Sequence, residues 1–200
     1  TSAIAAPALL KLGVPLLVID YPPFYERDGG PYIDPTGLDW VDNAHRFALL
    51  SKVGAILGST KSPLGWRPDI VQCNDWQSGL TPAYLHFSPA PNAATIMTIH
   101  NMAFQGTFPA SLTTPLGLPA SSYNINGMEY YGQLSFLKAG LFYANHITTV
   151  SPTYAEEIQQ APLGFGMQGL LAHRYLDLTG IVNGIDINEW SPATDKLLDH

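Results

Sequence analysis

Three short polar clusters hold the residues best suited to chemistry in this chain: Asn74-Asp75-Trp76, His100-Asn101 and Asn183-Gly184-Ile185-Asp186. A carboxylate at Asp75 can accept hydrogen bonds from hydroxyl groups, or else cap a helix that begins at Trp76. Imidazole and amide at His100 and Asn101 present donors and acceptors together, the mixture that a hydroxyl-rich ligand needs. The competing reading of His100 is a ring satisfied by nearby backbone. Asn183-Gly184 ahead of Asp186 is first of all a turn signal.

What groups these clusters is their position. Each follows a short apolar run, over residues 69–72, 95–99 and 179–182, that reads as a buried strand bounded by polar or turn residues. Ligands of open α/β sheets bind in the crevice outside the carboxyl ends of the strands. Three polar clusters at three strand ends therefore predict one site.

The intervening segments supply the helices. A strand over 14–19 is ended by Tyr21-Pro22-Pro23, because proline donates nothing to a ladder. A turn-rich loop follows, with Asp20, Tyr21, Tyr25 and Tyr32 around it, whose aromatic faces can stack on sugar rings or simply cover the sheet end. The period of Phe47, Leu50, Val53 and Leu57 predicts a helix over 38–57. Further helices are expected over 77–87, 129–144 and 166–175, and a strand over 146–150. Ser151-Pro152 reads as an N-cap with proline at the first helical position, and Glu156 or Glu157 is expected in that first turn. The proline-rich stretch 102–125 has no strong period and reads as a long loop, a length that in compact domains usually serves function. Strands alternating with helices, without hairpin signals, predict an α/β fold with a doubly wound, mostly parallel sheet.

Composition excludes several classes. The 200 residues are 46% hydrophobic, enough for one domain with a sizeable core. A net charge of −7 with only 9 Lys and Arg is unlike a nucleic-acid-binding surface, which needs clustered cations. The single cysteine, Cys73, has no internal disulfide partner and is expected to be a buried, reduced thiol, which fits the cytoplasm. Lys11, Pro15 and Asp20 interrupt the most apolar stretch before it reaches the roughly 18 residues of a membrane span. Thr1-Ser2-Ala3 has neither an initiator Met nor a basic leader. With only 12% charged residues, the chain looks cut from something longer. Gly164, Gly166 and Gly169 have G-x-G-x-x-G spacing, but no strand precedes them, so the dinucleotide reading fails its context. His45, His86, His146 and His173 lack the spacing of a metal site. A nucleophile elbow or Cys/His nucleophile signature is absent too.

Several longer runs carry a resemblance. They are RPDIVQCNDWQ from Arg67, TIHNMAFQG from Thr98, FLKAGL from Phe136, TVSPTYAEEI from Thr149, GMQGLL from Gly166, and VNGID from Val182 through Trp190-Ser191-Pro192. In order and near spacing they resemble the bacterial glycogen synthase and starch synthase family, from about Tyr21 to the end of the chain. The resemblance implies a retaining transferase that moves glucose from ADP-glucose to the non-reducing end of an α-1,4-glucan. It implies a GT-B enzyme of two Rossmann-like domains, with residues 1–200 forming most of the first, incomplete at its N-terminus, and the second lying outside the chain. His100 and Asp75 then correspond to residues at the reaction centre, and Asn101, Asn183 and Tyr32 to substrate-binding residues. The 102–125 loop and the helix expected from Glu129 would build the acceptor wall. Expected partners are ADP-glucose, the glucan and the second domain, with no metal and no cofactor, ADP-glucose being a substrate.

The departures are informative. The family's Lys-x-Gly-Gly-Leu loop and the cations that neutralise the diphosphate are missing, so the isolated chain is expected to be inactive. Asn74 stands where bacterial members commonly carry His. The alternatives are a glucan-binding module without catalysis, or another GT-B sugar-nucleotide enzyme such as a sucrose synthase relative or an epimerase.

Overall fold

A computed structural model describes residues 7–9, 15–89, 91–187 and 190–193. Along the chain run β1 (Pro7–Leu9), β2 (Pro15–Leu17), α1 (Pro22–Tyr25), α2 (Asn43–Leu57), β3 (Ile70–Asn74), α3 (Leu80–His86), β4 (Ala94–Ile99) and β5 (Thr107–Pro109). They are followed by β6 (Glu129–Tyr130), β7 (Gln133–Ser135), α4 (Phe136–Tyr143), β8 (His146–Thr149), α5 (Pro152–Glu157), α6 (Gln168–His173) and β9 (Leu178–Gly180). Strands β3, β4, β8 and β9 form a four-stranded parallel sheet in that order. Helices link successive strands, which is the Rossmann-like plan expected from the alternation.

Register sorts the side chains into two faces. In one rung Cys73, Met97, Ile147 and Leu178 lie side by side; one residue further on, Asn74, Thr98, Thr148 and Thr179 do so on the other face. The first face is the core. Met97, Ile99 and Ile147 are fully buried against Leu137 and Leu141 of α4, Ile158 after α5, and Leu171 of α6. A second apolar cluster joins Ala44, Ala48 and Ala55 of α2 to Leu80, Ala83 and Tyr84 of α3 and Phe136 and Ala139 of α4. Gly79 lets α3 approach α4: a Cβ there would lie 2.1 Å from the Phe136 carbonyl oxygen. The other face is polar. Gln72 Nε2 donates to Thr98 Oγ1 at 2.9 Å, Thr98 and Thr148 share a 2.8 Å hydroxyl bond, and His146 Nε2 lies 3.0 Å from Thr179 Oγ1.

Four elements differ from expectation, each for a local reason. The helix expected over 38–57 begins at Asn43, because Asp34 folds residues 36–38 into a turn by accepting from Thr36 and Leu38 N–H. Its buried side keeps only part of the large apolar stripe. Val53 is buried and Phe47 packs against the core, but Leu50 is exposed, and Ala44, Arg46, Ala48, Ser51 and Ala55 are buried beside them, since small residues allow α3 to come close. The helix expected from Glu129 starts instead at Phe136, after an antiparallel β6–β7 hairpin whose turn residues Tyr131 and Gly132 have φ of 48° and 80°. Two consecutive positive φ values make the tight turn that matches strand twist. Glu156 and Glu157 fall in the last turn of α5, not the first, while Ser151 does cap it by accepting from Tyr154 N–H. The strand expected over 14–19 appears as β2, outside the parallel sheet and antiparallel to β1. Val14 and Thr1-Ser2-Ala3 lie outside the described residues.

Among the described residues no helix is long and apolar enough to cross a membrane, and no cluster of three or more His, Cys, Asp or Glu could hold a metal ion.

Candidate functional site

Because the four strands are parallel, their carboxyl ends share one edge, and the three predicted clusters all fall there. Asp75 turns the chain at the end of β3 with φ 51° and ψ −170°, a region that non-glycine residues occupy only at a cost of about 1–3 kcal/mol. Its backbone N–H donates to Thr98 O at 2.9 Å, and its carboxylate Oδ1 accepts the N–H of His100 at 2.8 Å. Asp75 makes no side-chain cap on the following turn of Trp76–Ser78. The carboxylate therefore ties β3 to β4, and Oδ2 makes no hydrogen bond to a described residue.

His100 is exposed at the end of β4, and its ring is not satisfied by backbone. Nε2 lies 2.9 Å from Asn74 Oδ1. Asn74 is in turn clipped by Ser78, whose Oγ accepts the Asn74 N–H at 2.7 Å and donates to its carbonyl at 2.9 Å. Asn101, also exposed, uses Oδ1 to accept Ala103 N–H at 2.9 Å, which turns the chain away from the sheet edge. Met102 N–H then donates to Tyr154 Oη, fastening this turn to α5.

Asn183 is exposed three residues beyond β9. It shares the carboxyl edge with Asp75 and His100 but touches neither. At about 4.8 Å per strand, the ends of β4 and β9 are about 10 Å apart. Structure thus joins Asp75 to His100 directly and leaves Asn183 across the width of β8.

Tyr32 belongs to a neighbouring cleft of about 600 Å³, lined by Trp76, Gln77, Asp39, Asn43 and residues 103–108. Its hydroxyl accepts from Gln77 Nε2 at 2.8 Å, and its ring stacks on Phe47 at 5.7 Å and lies 6.0 Å from Trp76. The loop carrying Tyr32 is held by two arginines. Buried Arg46 donates to the carbonyls of Phe24 and Pro31, and Arg27 makes two hydrogen bonds to Asp42. That pairing holds the Asp42 carboxyl below the usual carboxylate range. On the opposite wall, the first N–H groups of α4 donate to the carbonyls of Gln105 and Gly106. Gly106, at φ 59°, lies against the Trp76 ring, where a Cβ would come within 2.4 Å. The cleft begins one residue from Asp75 and three from His100.

Sequence reasoning missed Gln77, Asp39 and Asn43 as cleft residues, and missed Asn74 as the partner of His100. Gln77 and Asn74 flank the Asp75-Trp76 pair, and that adjacency was the available signal. The G-x-G-x-x-G run follows α5 rather than a strand, and Gly166 sits against the Tyr131 ring. None of the described Lys or Arg side chains contacts Asp75 or His100 or lines the cleft.

Residues 3–173 match the family model described as the starch synthase catalytic domain. The chain is 63% identical over 188 residues to a glycogen synthase of Nitrosomonas eutropha, covering 94% of this chain and 38% of that protein. It is 58% identical over 189 residues to a glycogen synthase of Paramagnetospirillum magneticum, again 94% of this chain and 38% of the relative. Among solved structures it is similar to the catalytic domain of Starch Synthase IV from Arabidopsis thaliana bound to ADP and acarbose. That match has a TM-score of 0.78 and 29% identity over 96% of this chain and 39% of the other. The chain thus spans about two fifths of the length of these relatives.

Proposed function

This chain belongs to the starch synthase catalytic domain family, and from that premise we propose that the protein containing it moves glucose from ADP-glucose to the non-reducing end of an α-1,4-glucan with retention of configuration. The bond between the sugar and the diphosphate oxygen breaks, a bond to an acceptor hydroxyl oxygen forms, and ADP leaves with the acceptor's proton on its freed oxygen. The observation that carries the reading is the joined Asp75–His100 pair, at the carboxyl edge of the sheet beside an aromatic cleft.

In this reading His100 holds a hydroxyl of the transferred glucose. Asp75 fixes the backbone of His100 with one oxygen and offers the other to the sugar. Asn183 and Asn101 contribute amides from the same edge. Tyr32 and Trp76 present rings to the glucan, and residues 103–108 form the acceptor wall. Charge develops on the leaving diphosphate, and stabilising such charge is usually the largest single catalytic effect. Among the described cations, Arg46, Arg67 and Lys138 bond carbonyls, Arg27 and Arg174 bond carboxylates, and Lys52 lies over the Tyr84 ring. In this reading the neutralising groups are supplied by a second Rossmann-like domain facing this one across the cleft. The 200-residue chain alone transfers nothing, and the enzyme works in the cytoplasm without a metal or cofactor.

The test is His100→Ala in the full-length protein. Loss of one positioned hydrogen bond made in the transition state costs about 2.7–4 kcal/mol, roughly a hundred- to thousandfold in kcat, with a smaller change in the donor KM. Thermal melting on the same preparation should be unchanged. A kcat within about threefold of the parent would remove His100 from the mechanism, and a parent that transfers no glucose from ADP-glucose to glycogen would remove the function.

A further inference from the structure

Successive side chains of a strand point to opposite faces, so Asn74 and Asp75 should diverge. They converge, because the positive φ of Asp75 breaks the alternation just past the end of β3. Both side chains consequently reach the same histidine. Asp75 Oδ1 takes its backbone N–H, and Asn74 Oδ1 faces its ring Nε2. Ser78 Oγ, bonded to both backbone groups of Asn74, fixes the backbone from which that side chain reaches.

We infer that Asn74 is the positioning residue of His100: its amide oxygen keeps the ring proton on Nε2, so that Nδ1 presents a lone pair to a ligand hydroxyl. The inference rests on the reading of His100 as the sugar-holding group and assigns the direction of that hydrogen bond. An amide oxygen only accepts, so the nitrogen facing it must carry hydrogen. In a neutral imidazole the other nitrogen is then an acceptor, and the partner of one ring nitrogen sets the role of the other. An amide does not ionise, so the Asn74 contact adds no charge at the ring beyond the Asp75 carboxylate on the His100 backbone. A carboxylate at position 74 would accept equally well but favour the doubly protonated ring, which has no lone pair to offer. An aliphatic side chain would leave both tautomer and orientation unset.

The experiment combines nitrogen-15 NMR of histidine-labelled full-length protein with steady-state kinetics. The His100 ring is assigned by the signals lost in His100→Gln. The parent should show the neutral Nε2–H tautomer, and Asn74→Leu should show a mixture. Removing orienting partners of metal-bound histidines costs roughly ten- to a hundredfold, and a similar fall in kcat is expected for Asn74→Leu, with little change in the melt. Asn74→Asp, which still presents an acceptor oxygen, should keep Nε2 protonated in the spectrum. An Nδ1–H tautomer in the parent, or an Asn74→Leu protein with a parental tautomer and kcat within threefold, would overturn the inference. The NMR readout needs no turnover, so it separates failure of the inference from failure of the proposed activity.

Discussion

The rungs Cys73–Met97–Ile147–Leu178 and Asn74–Thr98–Thr148–Thr179 are one residue apart in sequence and on opposite faces of the same sheet. The first is packed under three helices and holds the fold together. The second is a row of amide and hydroxyl groups in which Thr98 and Thr148 share a hydrogen bond, Gln72 donates to Thr98 and Thr179 lies on His146. Continued past the strand ends, the polar row leads to Asn74 and His100. A rigid apolar face and a polar face thus divide stability from chemistry within a single layer, and the carboxyl edge takes its groups from the polar side.

Met97→Ala on the apolar face gives the largest effect on stability. Deleting a fully buried side chain costs about 2–5 kcal/mol, read as a lowered melting midpoint in the full-length protein, with kcat of the folded fraction preserved. An effect below about 1 kcal/mol would show that the face is not the packed core described above. Thr98→Val, across the sheet, keeps the shape but removes the hydroxyl between Gln72 and Thr148. About 1 kcal/mol is expected there, clearly less than for Met97→Ala. If the order reversed, the polar row would be the stabilising face and the division would fail. Gln72→Ala, at an exposed position on the same row, should stay within about 0.5–1 kcal/mol.

Cys73 probes the comparison without changing stability. Burial pushes its thiol up to about 11 from an ordinary value of 9.0. The folded protein therefore binds this proton more tightly than the unfolded chain. That contribution is complete below the ordinary value and is lost as pH rises through about 11. At pH 8 a disulfide reagent should leave native Cys73 unlabelled and modify it fully in denaturant. Rapid labelling of the native protein would mean that the apolar face opens.

Opposite signs apply at Asp42, where the paired Arg27 lowers the carboxyl. The stabilisation is present at neutral pH and is lost as pH falls below the ordinary carboxylate range of about 4. The Tyr32 loop should therefore loosen in acid before the sheet does. Fluorescence of Trp40, over which Arg27 lies at 4.9 Å, would follow it, and coincident acid transitions of loop and sheet would contradict the separation.

Some of this protein is set by residues read along the chain. Short β-branched runs dictated the three strands that end at Asn74, Ile99 and Gly180, and their parallel arrangement put the polar clusters at one edge. Ser151-Pro152 specified a helix start, since cap and fixed φ act within four residues. These signals are local, and local chemistry suffices to express them. Other features needed contacts between distant segments. The buried side of α2 relies on Ala44, Ala48, Ser51 and Ala55 as well as Val53 because α3 packs close to it, which periodicity of large residues does not report. The β6–β7 hairpin turns at Tyr131-Gly132, a pair with no strong turn signature. Gln77 became a cleft residue only when Tyr32, 45 positions away, met its amide. Above all, Asn74 and Asp75 point the same way only because the chain turns at positive φ just past the end of β3. Sequence named the two residues, and only the tertiary structure aimed both at His100.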